Sequence, residues 1–462
     1  MKNVTSKAIQ IGLKTTLKSL AGLPYRQKIE ASWTWDRDTV SKFQTQQFGE
    51  MYNRALREIP YYRNASVNYP QFTPQTNLID HLSRLPLLPK AVVKEHNAEF
   101  WRQPGKRIWE HSTIHTTSGT TGTALQIPAT VGERGFTQAV LESWFQRICG
   151  KRWPKVLALS GFFVPTQTSS DEIYSWDPLT NTVFLSIYSL SAEHREAVIA
   201  LLQEFKPQLI FGYSSAVAEL ARLAGNTYAN TRASTVAVVT SEVMHEHQKS
   251  LIQETIAGQI FNLYGSQEGA HFVTECSQGS WHAMPMSGIV EIVDENGAAA
   301  PRGTIGRVAV TALSRRSMPL FRYLIGDTAM ATDGSECPCA LGWPTIGRIE
   351  GRSEDLVRTR DGRKIGMLGY ATIRHQDVVK EAQLIQRNYE RFECKLVLDS
   401  KAAVNHSDLE ARIKGELERR IGYTVEMSFG YQAEIPRGAR GKFKAVVVDF
   451  ESTQKEIAAI KQ

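Results

Sequence analysis

Between residues 156 and 263 the chain repeats one pattern, a short apolar run of β-type residues followed by a stretch with helical spacing. Residues 156–159, 182–187, 208–211, 235–239 and 260–263 read as strands. Between two of them His194, Val198, Leu201, Leu202 and Phe205 recur at the period of a helix with one apolar face. Strands alternating with helices predict an α/β fold in which a sheet is sandwiched between helices. At 462 residues the chain is long enough for one large core of this kind with a second unit attached.

The texture differs on either side of this region. Residues 31–105 read as mostly helical and polar, punctuated by Ile59-Pro60-Tyr61-Tyr62-Arg63 and Leu85-Pro86-Leu87-Leu88-Pro89-Lys90. Residues 288–293 and 306–311 read as strands joined through Asp294-Glu295-Asn296-Gly297, which favours an antiparallel β subdomain. A boundary is expected at Gly351-Arg352-Ser353-Glu354-Asp355. Residues 1–350 then form a large domain, with a β subdomain over 270–350, and residues 351–462 a small mobile α+β domain. In that second part Ser407-Asp408-Leu409-Glu410 reads as a capping box, opening a helix with the apolar seam Leu409, Ile413, Leu417 and Ile421.

Composition narrows the class of protein. Hydrophobic content of 42% and charged content of 22% are ordinary for a globular protein. No apolar run reaches the roughly 18 residues of a membrane span. The first 28 residues carry six Lys and Arg and no acid, yet lack the apolar stretch of a secretory signal, so a surface helix or frayed end is expected. The net charge of +7 suits an anionic ligand, but no basic stripe with interleaved aromatics points to nucleic acid. Five cysteines do not make a disulfide framework, and Cys149 and Cys394 read as lone buried thiols of a reducing, cytoplasmic compartment. A homodimer is compatible with all of this.

Five motifs carry chemistry. In His115-Thr116-Thr117-Ser118-Gly119-Thr120-Thr121-Gly122-Thr123 two glycines let the backbone N–H groups approach a ligand, and the hydroxyls add donors without bulk. That suits a polyphosphate, although the Gly-Lys-Ser/Thr ending of a Walker loop is missing. Tyr264-Gly265-Ser266-Gln267-Glu268 sets an aromatic face four residues before a carboxylate, a pattern that can stack on a base and reach Mg²⁺. Phe321-Arg322-Tyr323-Leu324-Ile325-Gly326-Asp327 presents a carboxylate suited to a ribose diol. Gly347-Arg348-Ile349-Glu350-Gly351-Arg352 lies at the boundary, and Pro436-Arg437-Gly438-Ala439-Arg440-Gly441-Lys442 is a glycine-rich loop presenting cations.

In this order the five motifs resemble those of the adenylate-forming acid ligases, and most closely the branch of phenylacetate–CoA ligase and the CapK-like proteins. The resemblance runs from Ile59 to Val448 and takes in Val239-Thr240-Ser241-Glu242. It implies that Ser118, Gly119, Thr120, Thr121 and Gly122, with Thr123, hold the β- and γ-phosphates of ATP. It further implies that Ser241, Glu242, Tyr264 and Gly265 flank adenine, that Glu268 reaches Mg²⁺, and that Asp327 and Arg352 hold the ribose. Glu354 falls at the family's hinge and Lys442 at its mobile catalytic lysine. Position 123 is Thr where phenylacetate–CoA ligases often have Lys, and Glu354 replaces the commoner Asp.

Cys276 and His282 stand in a Cys-x5-His spacing, and Cys337-Pro338-Cys339 follows later. Three thiolates and an imidazole can make a closed tetrahedral zinc site, structural rather than catalytic because no position stays open.

The expected reaction is ATP- and Mg²⁺-dependent activation of a small-molecule carboxylic acid as its adenylate, followed by transfer to a nucleophile. Phe162, Phe163, Phe211 and Tyr213 lie where an aromatic acid would be lined, although core packing explains them equally. The acceptor stays open: coenzyme A foremost, or a carrier protein, an amine or a hydroxyl. An adenylyltransferase or amide-forming ligase of natural-product or capsule biosynthesis is the nearest alternative. A catalytically silent, zinc-stabilised binding protein is the alternative from another class.

Overall fold

The computed structural model describes residues 6–64, 69–73, 75–102, 112–116, 125–160, 173–228, 232–244, 246–332, 337–352, 357–360, 364–365, 378–398, 404–436 and 446–450. The chain divides into two compact units, Met1–Ile325 with Ala329–Arg348, and Gly326–Thr328 with Ile349–Gln462.

The first unit is built on a sheet of nine described strands. Its centre is parallel: Thr182–Ser186, Val156–Ser160, Leu209–Tyr213, Val236–Thr240 and Gln259–Gly265 lie side by side in that order. Tyr174–Asp177 closes one edge antiparallel, and Phe272–Glu275, Trp281–Ala283 and Thr345–Ile346 extend the other. Parallel strands are covered on both faces, and the period-two alternation of side chains shows it. Ala237 and Val239 join a core with Val198, Leu201 and Phe205 of the helix Arg195–Phe205, whereas Val236 and Val238 join a second core with Phe136, Val140 and Trp144 of the helix Val131–Cys149.

The basic N-terminal segment is helical from Ser6 to Ser32 and packs against Val131–Cys149. The two backbones touch at glycines: a Cβ on Gly135 would lie 2.4 Å from the carbonyl carbon of Ala21, and one on Gly22 2.6 Å from the Gly135 oxygen. Ile29 is buried there, and Arg26 pairs with Glu142. No helix among the described residues is long and apolar enough to cross a membrane.

A smaller sheet orders Leu88–Pro89, Tyr323–Met330, Ile305–Ala312 and Gly288–Val293, with Gly326–Thr328 of its second strand counted in the second unit. The last two form the expected antiparallel pair, Val293 facing Arg307, and the Asp294 side chain accepts from the N–H groups of Asn296 and Ala298 to fix the turn. Leu88–Pro89 runs parallel to Tyr323–Leu324.

The second unit carries a four-stranded sheet, Glu426–Tyr431, Arg391–Leu398, Val379–Gln386 and Val446–Val448 in that order. The helix His406–Ile421 buries Leu409, Ile413, Leu417 and Ile421 completely, as their spacing predicts. Its cap corrects the sequence reading. Asn405, not Ser407, is the N-cap, its side chain accepting from the N–H of Asp408 at 3.3 Å, so that Ser407 falls inside the first turn. Asn serves this role at least as well as Ser, and it comes first in the chain.

Candidate functional site

The carboxylate of Glu268 is the centre of the first unit's polar interior. It lies in the turn after Gln259–Gly265 and is only 4% exposed. Its Oε1 accepts from Lys90 Nζ at 3.3 Å and from the Tyr323 hydroxyl at 3.0 Å. Burial alone would raise its pKa. The charge of Lys90, with hydrogen bonds from the backbone, Tyr323 and Lys90, outweighs burial and holds the carboxyl below its ordinary value.

Lys90 reaches Glu268 because of how the strap before it is anchored. The Arg322 guanidinium, 2% exposed, donates to the carbonyls of Leu85 at 2.9 Å and Gly297 at 2.6 Å and pairs with Glu291 at 3.0 Å. Leu88 N–H donates to the Arg322 carbonyl at 3.0 Å, and Leu88 pairs in register with Tyr323. Arg322 holds a left-handed φ of 46°, which a non-glycine residue keeps only when its surroundings dictate it.

Next to this ion pair lies a group of cationic and imidazole side chains. Gly269, at φ 61°, leaves room for the Arg315 guanidinium: a Cβ there would lie 2.2 Å from Arg315 Nε and Nη2. Arg315 is 8% exposed, and burial lowers its pKa, with Glu133, Arg134 and Glu268 all within reach of its charge. Burial likewise lowers that of Arg134. His271 is buried against Tyr264, ring centroids 4.5 Å apart, and burial depresses its pKa to about 4 although Glu268 pulls the other way. Glu133 caps its own helix and accepts from Ser317 N–H at 2.8 Å and Ser317 Oγ at 2.7 Å.

Four further sequence-predicted residues are found close together. The nearest metal-ligating atoms of Cys276, His282, Cys337 and Cys339 all lie within 4.8 Å of one another. Cys276 Sγ is 3.6 Å from Cys337 Sγ, and Cys339 Sγ is 3.4 Å from His282 Nε2. Sulfurs bound at 2.3 Å to one tetrahedral zinc stand about 3.8 Å apart, so the spacing suits the ion. His282 Nδ1 donates to the Trp343 carbonyl at 3.3 Å, which fixes the tautomer and turns Nε2 toward the sulfurs. Burial opposes the Cys337 thiolate, but hydrogen bonds from Ser280, the Cys339 backbone, His282 and Cys339 bring its pKa to about 6. The four sit at the antiparallel edge of the nine-stranded sheet, not in the smaller sheet: Thr274 pairs with His282, and His282 with Thr345.

The other predicted residues divide into three groups. Ser241 takes a left-handed φ of 67°, and the Glu242 carboxylate accepts from Ser215 N–H at 3.0 Å, capping the helix Ser214–Ala224. A Cβ on Gly265 would meet only the His271 carbonyl at 3.7 Å, so packing does not demand glycine there. Phe211 packs on Phe145, ring centroids 5.6 Å apart, as a core residue does. Asp327 and Arg352 belong to the second unit, where Asp327 is buried on its strand. Ser118, Gly119, Thr120, Thr121, Gly122, Thr123, Phe162, Phe163, Glu354 and Lys442 lie outside the described residues. What is described is the hairpin carrying the phosphate-type loop, Ser112–Thr116 against Gln126–Thr130, with Thr116 opposite Gln126.

Sequence reasoning missed Lys90, Tyr323, His271, Arg134 and Arg315 as site residues. The first two stood inside quoted motifs, but nothing in the spacing says that Lys90, 178 positions before Glu268, and Tyr323, 55 positions after it, meet on that carboxylate.

A model of the CapK C-terminal domain matches residues 357–449. Over 376 residues the chain is 22% identical to protein CapK of Staphylococcus aureus, spanning 79% of this chain and 80% of that one. It is 24% identical over 351 residues to phenylacetate–coenzyme A ligase of Thermus thermophilus, spanning 73% and 75%. Among solved structures it resembles 2-hydroxyisobutyryl-CoA ligase in the postadenylation state, with TM-score 0.68, 16% identity, and 93% and 94% of the two chains covered. It also resembles the anthranilate CoA ligase AuaEII in complex with anthranoyl-AMP, with TM-score 0.54, 17% identity, and 77% and 68% covered.

Proposed function

We propose that the chain belongs to the adenylate-forming CoA ligase superfamily, in its CapK/phenylacetate–CoA ligase branch, and that it activates a carboxylic acid with ATP and Mg²⁺ and passes the acyl group to coenzyme A. The observation that carries the reading is Glu268. A buried carboxylate kept ionised by Lys90 and Tyr323, in the turn after a parallel strand, is an oxygen ligand prepared for a hard divalent cation. Mg²⁺ would lower the cost of bringing a carboxylate anion against the α-phosphate.

The remaining roles follow the resemblance. Ser118, Gly119, Thr120, Thr121, Gly122 and Thr123 would hold the phosphates, and Ser241, Glu242, Tyr264 and Gly265 would border adenine. Because the Glu242 carboxylate is engaged as a helix cap, its contribution there falls to the backbone beside Ser241. Asp327 and Arg352 would hold the ribose, Glu354 would serve as the hinge, and Lys442 would meet the developing charge on the phosphorus. A zinc ion held by Cys276, His282, Cys337 and Cys339 would be structural. A cytoplasmic location and an aromatic acid complete the proposal.

ATP–pyrophosphate exchange on the purified protein, across a panel of aromatic and aliphatic acids, tests it. Exchange should depend on one class of acid and fall by about a hundredfold or more in Lys442→Ala, the typical effect of losing one preorganised charge contact. Exchange unchanged in that variant would remove Lys442 from the mechanism. Silence across the panel would favour the binding-protein reading. A product that retains AMP would instead identify an adenylyltransferase.

A further inference from the structure

Arg315, whose charge reaches Glu268, and its neighbour Arg134 have donors to spare. Arg315 Nη1, Arg134 Nε and Arg134 Nη2 are buried without a hydrogen-bond partner, and so are both ring nitrogens of His271. Arg315 and Arg134 are close enough for each charge to oppose the other. Burying two like charges together, with N–H groups unmet, is costly unless an anion joins them. The nearby carboxylates do not supply those bonds: Glu133 accepts from Ser317 and Thr130, and Glu268 from Lys90 and Tyr323.

We infer that Arg315 and Arg134, with the His271 imidazole, form an oxyanion subsite near Glu268 that takes the phosphoryl oxygens leaving as pyrophosphate. The inference rests on the ATP-dependent reading above. Phosphoryl oxygens fit for three reasons. Guanidinium groups match them with paired N–H donors. A diphosphate offers enough oxygens for two arginines, where a single carboxylate offers two. A cation held by Glu268 would add positive charge for the same oxygens. Arg315 owes its position to Gly269, since any side chain there would occupy the space of its guanidinium.

Binding of inorganic pyrophosphate with Mg²⁺, followed calorimetrically, tests this without any acid. The wild-type protein should bind it, and Arg315→Gln should weaken binding by about tenfold to a hundredfold, the effect of a charged hydrogen bond. Arg315→Lys should fall between, because it keeps the charge and loses the fork. Gly269→Ala should weaken binding comparably by displacing the guanidinium, and it also places a Cβ at a left-handed φ. In exchange assays the KM for pyrophosphate should rise while the KM for the acid stays within twofold. No pyrophosphate binding by the wild type overturns the subsite. So does a lowered melting temperature in Arg315→Gln with affinity unchanged, which marks a structural arginine. A raised acid KM with pyrophosphate affinity unchanged overturns it too, assigning the arginines to the carboxylate of the substrate. If binding is lost in the variant but no acid supports exchange, the subsite stands and the ligase reading fails.

Discussion

Glu268→Gln is expected to lower ATP–pyrophosphate exchange by about a thousandfold or more while the protein stays folded, because it takes away both the proposed Mg²⁺ ligand and the local negative charge. The substitution keeps shape and a hydrogen-bond acceptor for Tyr323, so packing around the 4%-exposed side chain changes little. Lys90, left without its partner, can turn to solvent, since 28% of its side chain is already exposed. Lys90→Met has a different signature. It leaves the Glu268 charge buried and uncompensated, which costs up to a few kcal/mol for fully buried pairs and less here because Lys90 is partly solvated. With the Lys90 charge gone, burial dominates and the Glu268 pKa rises, so the acidic limb of the activity profile should move to higher pH. Exchange rates against pH, Mg²⁺ titrations and melting curves separate the two. A Glu268→Gln enzyme within tenfold of wild type would take Glu268 out of the reaction.

The second large effect is expected on metal removal. The purified protein should carry about one zinc per chain, and stripping it with a chelator should lower the melting temperature by roughly 10 °C or more. The reason is where the four ligands sit. His282 lies on the strand Trp281–Ala283, which is held between Phe272–Glu275 and the two-residue strand Thr345–Ile346. That last pairing is short, and without the ion three thiols and an imidazole are left together in a partly buried pocket. Catalysis should decline only as far as the fold does, because a four-ligand site leaves no open position. Cys337→Ser should reproduce the loss of metal and of melting temperature. A preparation free of metal with all four ligands intact, melting as the untreated protein does, would end the proposal.

The sequence by itself determined the alternating α/β architecture, the antiparallel pair around Asp294–Gly297, the seam from Leu409 to Ile421 and the grouping of Cys276, His282, Cys337 and Cys339. Each rests on local periodicity, on a turn residue or on a side-chain type rare enough to be noticed. The choice of helix cap failed at Asn405 because two good capping residues stand two apart, and only backbone geometry selects one. Tertiary structure alone decided that Lys90 and Tyr323 meet on Glu268. That contact depends on a two-residue strap pairing parallel to a strand 235 positions later, as Leu88 does with Tyr323. It also decided that the guanidinium of Arg315 lies against Gly269, and that the cluster of three cysteines and His282 sits at the edge of the large sheet. Electrostatic partners are chosen by distance in space, and desolvation by everything packed around them. Neither quantity is carried by residue spacing along the chain.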